Sequence, residues 1–351
     1  MGLAEKFLEL SSKTLERLDN KSVVLMPDFF IDTIISLPTG DKCLDSIRSK
    51  FLSGGGSIRN ISQFELKGGN AVNMACALGR LNIHTTLATL ADDFSKILLE
   101  QTFAKMKCVE TSIGKGIPGR TTSLEFTENG NRSNVMLSDI GDFERFESSK
   151  LDQLVWRRID NASFVVITNW ATNLSGNELV ETVFSRSKPH AKTFIDPADI
   201  GGREKEFAKF LKDKINLDLI DVVSMNNNEA SLLARSLNKE PLAIDYSLEE
   251  IEHLASILSD NLSIRIDLHT PKGVASALGK ESTSLASFNV DQKIATGAGD
   301  IWDSGNIAGY MLDFTDEQRL GFANACAALY ISKDNYEPPT RQDVMHFLKS
   351  K

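Results

Sequence analysis

Apolar residues fall along this chain in two alternating rhythms. Ser22 to Met26, Thr85 to Ala88, Phe164 to Ile167, Thr193 to Asp196, Ile220 to Ser224 and Ile264 to Leu268 are short, dense apolar runs, the pattern of strands buried on both faces. Asn70 to Leu81, Ser95 to Met106, Asn177 to Ser187, Glu204 to Lys214, Glu229 to Leu237 and Leu248 to Leu258 instead carry apolar residues at helical spacing. Strands joined by right-handed helical crossovers build a mostly parallel sheet covered by helices on both faces, a three-layer α/β fold. Ligands of such sheets bind beyond the carboxyl ends of the strands.

The alternation pauses after Met106. Cys108 to Ile113, Thr121 to Thr127 and Arg132 to Met136 read as consecutive strands, the last two joined by a turn at Glu128-Asn129-Gly130-Asn131. With the stretch from Ile34 to Phe64, interrupted by Gly54-Gly55-Gly56, they predict a small β-sheet inserted in the larger fold. Such a sheet can act as a lid, with segments at about 34–64 and 108–137. In Met1 to Asn20, Leu3, Phe7, Leu8, Leu15 and Leu18 recur on one side of a helix. Residues 1–21 are therefore expected as a helical extension, packed on the body or on a partner subunit, and residues 22–351 as the main domain.

Composition narrows the setting. With 351 residues, 41% of them hydrophobic, the chain can bury a large core. A net charge of -9 argues against a general nucleic-acid binder. No apolar run approaches the ~20 residues of a membrane span, and Met1 to Asn20 has no signal-peptide core. Cys43, Cys76, Cys108 and Cys326 lack the spacing of a zinc site or disulfide framework. These features predict a cytoplasmic protein without membrane or nucleic-acid partners. The five histidines are dispersed, with no HExxH pair.

The chemistry concentrates in a few places. Gly297-Ala298-Gly299-Asp300 precedes the apolar run Ile301 to Leu312, so its glycines open a helix whose first amides are free to bind an anion. Asp300 is odd company for an anion, unless it takes a proton from an attacking hydroxyl while the amides hold a phosphoryl group. The plainer alternative is an aspartate capping a helix. Gly68-Gly69-Asn70-Ala71-Val72-Asn73 lets the backbone approach a small polar ligand, with two amide side chains nearby, although Asn70 would also serve as a cap. Asp32, just past the first strand, could accept from sugar hydroxyls or sit in a turn. Asn226 and Glu229 offer oxygen ligands suited to hydrated magnesium, or simply open a helix. Gly114-Lys115-Gly116-Ile117-Pro118-Gly119 spells GxGxxG, but Pro118 and the strand-like stretch after it deny the helix a dinucleotide site requires. No GxxxxGK[ST] loop occurs.

Taken together, these residues resemble the PfkB carbohydrate kinase, or ribokinase-like, family from about Ser22 to the C-terminus. Gly297 to Asp300 with Gly305 is similar to the C-terminal signature, Gly68 to Ala75 to the N-terminal one, and Asn226 to Glu229 to the NxxE motif. Asp32 stands where the family carries a substrate-binding aspartate, Gly130-Asn131-Arg132 resembles the lid hairpin, and Asn324 to Leu329 resembles the adenine-side helix. The resemblance implies transfer of the terminal phosphate of ATP to a hydroxyl of a sugar, sugar derivative or nucleoside, with Mg2+. Asp300 would be the base, and Gly297, Ala298 and Gly299 the anion hole. Asp32, Gly68, Gly69, Asn73 and Arg132 would hold the acceptor. Asn226, Thr270, Gly273, Gly299 and Asn324 would face the nucleotide, and Asn226 and Glu229 the magnesium. Lids of this family often pair across a dimer, so a homodimer is expected. An ADP-dependent relative and a catalytically silent sugar- or nucleoside-binding protein of the same fold are the alternatives.

The chain also departs from the pattern. Ile294 replaces an acidic residue that helps bind a monovalent cation in many members, and Pro27 replaces a glycine. Leu268 to Gly273 keeps only the Lys-Gly end of a T-x-G-x-x-G turn, Ala91 to Ser95 has lost the glycines of G-x-D-x-x-G, and Trp302 replaces a smaller aromatic.

Overall fold

A computed structural model describes residues 17–37, 40–128, 131–188, 190–213, 218–294 and 296–350. The expected N-terminal helix falls largely on Met1 to Glu16, outside the described residues. The strands are β1 (Ser22–Met26), β2 (Phe30–Leu37), β3 (Ser62–Gly68), β4 (His84–Ala91), β5 (Val109–Lys115), β6 (Gly119–Glu128), β7 (Asn131–Asp139), β8 (Phe164–Thr168), β9 (Lys192–Asp196), β10 (Val222–Asn226), β11 (Arg265–His269), β12 (Gly273–Leu278) and β13 (Glu281–Ala286). Nine of these form one sheet in the order β13-β12-β11-β10-β9-β8-β1-β4-β5.

From β5 to β11 every pairing in that sheet is parallel, and β12 and β13 close one edge as an antiparallel hairpin. The sheet is central because its strands are apolar on both faces: Val23, Val24, Leu25, Val165 and Val166 are all buried. Helices cover both sides, as parallel strands linked by crossovers require. The order reverses direction around β1, so the strand ends beyond β1 and β8 open a crevice.

The second sheet runs β3-β2-β6-β7. Two details differ from the sequence expectation. The strand expected at Cys108 to Ile113 does not join this small sheet: β5 pairs in parallel with β4 along Thr85–Ala91. The reason is that β4 is buried along that length, and its outer row of amides and carbonyls needs partners. Between β2 and β3 the chain forms a helix, Gly40–Leu52, inside the stretch from Ile34 to Phe64 expected to belong to the small sheet. In β7, Met136 and Ser138 turn toward the crevice, while Val135 and Leu137 face away and are exposed, the alternation expected of a sheet with one covered face.

Below the crevice, Arg319 and Asp267 form a fully buried ion pair at 3.0 Å. Arg319 Nη2 also donates to Ser276 Oγ (2.7 Å) and Asp316 Oδ1 (2.9 Å), its Nη1 donates to Asn306, and its guanidinium lies 4.0 Å from the centre of the Tyr310 ring. Asn306 and Tyr310 each donate to Asp267 Oδ2 at 2.8 Å. This cluster ties β11 and β12 to the helices Ala298–Met311 and Asp316–Ile331.

Candidate active site

The helix Ala298–Met311 begins three residues earlier than the apolar run alone indicates, with Gly297 as its N-cap at φ 83°. Only glycine holds that conformation without strain, and a Cβ there would also lie 2.9 Å from the Tyr330 hydroxyl. Ile301 N already donates to Gly297 O at 3.2 Å, so the amides of Ala298, Gly299 and Asp300 are the unpaired ones of the first turn. Asp300 thus belongs to the same turn as the free amides. Its side chain is 7% exposed, and Oδ2 accepts from Asn73 Nδ2 at 2.8 Å. Asn73 Oδ1 in turn accepts from Lys67 Nζ at 3.2 Å.

A second glycine turn faces the first. Gly69, at φ 94°, caps the helix Asn70–Arg80, and a Cβ on it would sit 2.8 Å from Asp28 O. Gly69→Ala is therefore expected to lower the melting temperature, because strain and clash coincide. The helix's free amides are met from a distance: Asp28 accepts from Asn70 N (2.6 Å) and Ala71 N (3.2 Å), and from the Thr168 hydroxyl. Burial still pushes the Asp28 carboxyl up from its ordinary range, against these bonds. Asn70 Nδ2 donates to Asp196 Oδ2 at 2.8 Å, which draws the end of β9 into the same constellation.

Around these residues lies a cleft of about 410 Å3 between the strand ends and the small sheet. It brings together Asp32, Gly69, Asn73, Asn226, Glu229, Gly297, Gly299 and Asp300. Gly68 underlies Asp32, whose carboxylate packs so closely that a Cβ at 68 would collide with it. Ala298 follows Gly297 in the helix start. Thr270 and Gly273 lie at the β11–β12 turn, where Thr270 Oγ1 donates to Gly273 O at 2.8 Å; they do not line the cleft. Asn324 is buried behind it, accepting from Trp302 Nε1 (2.9 Å) and donating to Ala286 O (3.2 Å). Arg132 belongs to β7, with its side chain outside the described residues. Asp28, Asp196 and His269, which no motif singled out, also line the cleft.

The electrostatics are dominated by carboxylates. Burial raises Asp300 well above its ordinary range, and Asp196 is the charge that adds most to the shift. Burial and then Asp196 raise Glu229 to about 8, while Asp196 itself stands at about 6 through burial. Asp32, also mainly desolvated, is raised to about 6. Asp196 is the common neighbour of Asp300 and Glu229.

Asn226 and Glu229 form a capping box at the start of the helix Asn227–Ser236. Asn226 Oδ1 accepts from the Asn228 and Glu229 amides (2.8 and 3.0 Å), and Glu229 accepts from Asn226 N (2.8 Å) and Nδ2 (2.5 Å). Among the described residues no group of three His, Cys, Asp or Glu is set to hold a metal ion directly. An all-oxygen donor set with excess negative charge fits a hydrated divalent cation held through its waters.

A family model described as pfkB family carbohydrate kinase matches residues 45–342. The chain is 23% identical over 292 residues to a ribokinase of Haemophilus influenzae, covering 80% of this chain and 87% of that protein. It is 25% identical over 309 residues to an ATP-dependent ribose-1-phosphate kinase of Halopiger xanaduensis, with coverage of 85% and 91%. Arabidopsis thaliana ribokinase, solved in complex with ribose and ATP, shares the fold with a TM-score of 0.71 at 17% identity, over 94% of this chain and 98% of that one. Among the described residues no helix is long and apolar enough to cross a membrane.

Proposed function

As the chain belongs to the pfkB family of carbohydrate kinases, which are phosphotransferases, we propose that it transfers the terminal phosphate of ATP to a hydroxyl of a sugar, sugar derivative or nucleoside, with Asp300 as general base. The observation that carries this reading is the shared first turn: a buried carboxylate and three unpaired amides belong to one helix start, of which Gly297, Gly299 and Asp300 line the cleft. A hydroxyl beside Asp300 loses its proton to the carboxylate as it attacks. The amides of Ala298, Gly299 and Asp300 meet the charge that spreads over the transferring phosphoryl group. Asp32 and the backbone at Gly69 hold the acceptor hydroxyls, a task that the family resemblance assigns to Arg132 as well. Thr270, Gly273 and Asn324 shape the nucleotide side from behind the cleft wall. Magnesium, when bound, neutralises charge on the phosphates; Asn226 and Glu229 would hold it through water. The small sheet closes over the acceptor and keeps out water, a competing nucleophile.

Asn73 has a different task from gripping sugar alone: its bonds to Asp300 and Lys67 fix the rotamer of the base. Asn73→Leu is expected to lower kcat ten- to a hundredfold, the usual cost of losing an outer-shell partner, with KM for ATP unchanged. Steady-state kinetics check this. A cytoplasmic location, where ATP is available, and a homodimer packed through the exposed face of the small sheet at Val135 and Leu137 complete the reading.

The test is a melting-temperature screen of sugars, phosphorylated sugars and nucleosides, each with adenylyl imidodiphosphate and magnesium. True ligands stabilise the folded form by mass action, and those that do so should be phosphorylated when ATP replaces the analogue. Stabilisation by a sugar without any by nucleotide would favour the silent binding protein, and turnover with ADP in place of ATP the ADP-dependent alternative.

A further inference from the structure

We propose that His269 is a donor-binding residue, its imidazole giving a hydrogen bond to a phosphoryl oxygen of the nucleotide beside the glycine loop. This rests on the kinase reading of the same cleft. His269 is the last residue of β11 and lies in register with Asn226 of β10, which puts it on the crest of the sheet. Its ring packs edge-on against the start of the helix Ala298–Met311, so that a Cβ at Gly299 would come 2.9 Å from His269 Cε1. The ring is therefore a neighbour of the second of the three free amides. Trp302 braces it from the same helix, with ring centroids 5.2 Å apart and planes at 37°; Trp302 is fixed in turn by Asn324.

The chemistry around the ring leaves it free for a ligand. Neither ring nitrogen is hydrogen-bonded to another described residue, and the ring lines the cleft. Every other ionisable side chain among the described lining residues is a carboxylate. The charge that acts on the ring is Asp267, two residues back on its own strand. Burial holds the imidazole neutral, down to about 4, so at neutral pH one nitrogen carries a proton to donate and the site gains no further charge to desolvate. The turn after β11 lacks the glycine-rich spelling that brings backbone close to phosphates, and the side chain at its entrance supplies a donor in the same neighbourhood.

The test compares the full-length protein with His269→Phe, which keeps a ring against Gly299 and Trp302 but has no donor, and His269→Asn, which restores an N–H. Calorimetry with adenylyl imidodiphosphate and magnesium should show Kd about tenfold weaker for the Phe variant and largely recovered for the Asn variant. KM for ATP should follow Kd with kcat nearly unchanged, the mark of binding lost equally in ground and transition states. The unliganded melting temperature of the Phe variant should not fall. Equal nucleotide affinity in wild type and the Phe variant would overturn the inference, as would an Asn variant as weak as Phe. A wild-type protein that binds no nucleotide would overturn the kinase reading itself.

Discussion

Asp300→Asn should abolish nearly all turnover while making the protein more stable at mildly alkaline pH. The activity loss is expected at about 10²–10⁴-fold in kcat, the contribution of a positioned general base. The free amides of the first helical turn survive the substitution, so affinity for ATP should change little. The gain in stability follows from the raised proton affinity of Asp300, caused by burial and then by Asp196. A carboxyl group raised in the folded state favours folding below its unfolded value and loses that contribution as pH rises through the folded one. Asparagine resembles the protonated form at every pH. The variant should therefore melt above the wild type at pH 8, with the difference shrinking toward pH 4. Paired melting curves and single-turnover phosphorylation of the acceptor check both halves.

Arg319→Met should destabilise the protein strongly, by about 3–5 kcal/mol, because it removes the ion-pair partner of a fully buried carboxylate. Arg319 and Asp267 are both fully buried, and Arg319 also closes hydrogen bonds to Ser276, Asn306 and Asp316. Methionine fills part of the space but satisfies none of these partners. The double variant Arg319→Met with Asp267→Asn should recover a measurable part of the loss, since no charge then remains unpaired. Denaturant titrations of the two single variants and the double variant give the coupling. Because the cluster joins β11, which carries His269, to the helix carrying Asp300, a defect here should also weaken catalysis at temperatures well below the transition.

The parallel sheet was legible in the sequence because its strands are continuous apolar runs, and the periodic helices between them leave few alternatives. The β12–β13 hairpin was not, since Gly273 to Leu278 and Glu281 to Ala286 are short and dominated by alanine and serine, with Val274 and Thr283 the lone β-branched residue of each. The edge position of β5 depended on what β4 lacked, which is a property of the assembled sheet and not of residues 109–115. Gly297 to Asp300 and Gly68 to Asn73 were readable as sites because glycine turns at helix starts carry a local signature. Asp28 and Asp196 were not, since lone aspartates after strands are usually caps, and only the fold brings them to Asn70. His269 carried no signal either: its partner is Gly299, thirty residues away on another element.

The pH dependence of kcat/KM tests the central claim most directly, compared between the wild type and Asp196→Asn. Asp196 is the charge that adds most to the raised proton affinity of Asp300, and kcat/KM reports the essential groups of the free enzyme. The acid limb of the wild type should lie well above the ordinary carboxyl range, and in Asp196→Asn it should move to lower pH, because a neutral neighbour no longer opposes ionisation of the base. A wild-type acid limb at the ordinary value for aspartate, or one that Asp196→Asn leaves in place, would contradict a buried Asp300 acting as the base.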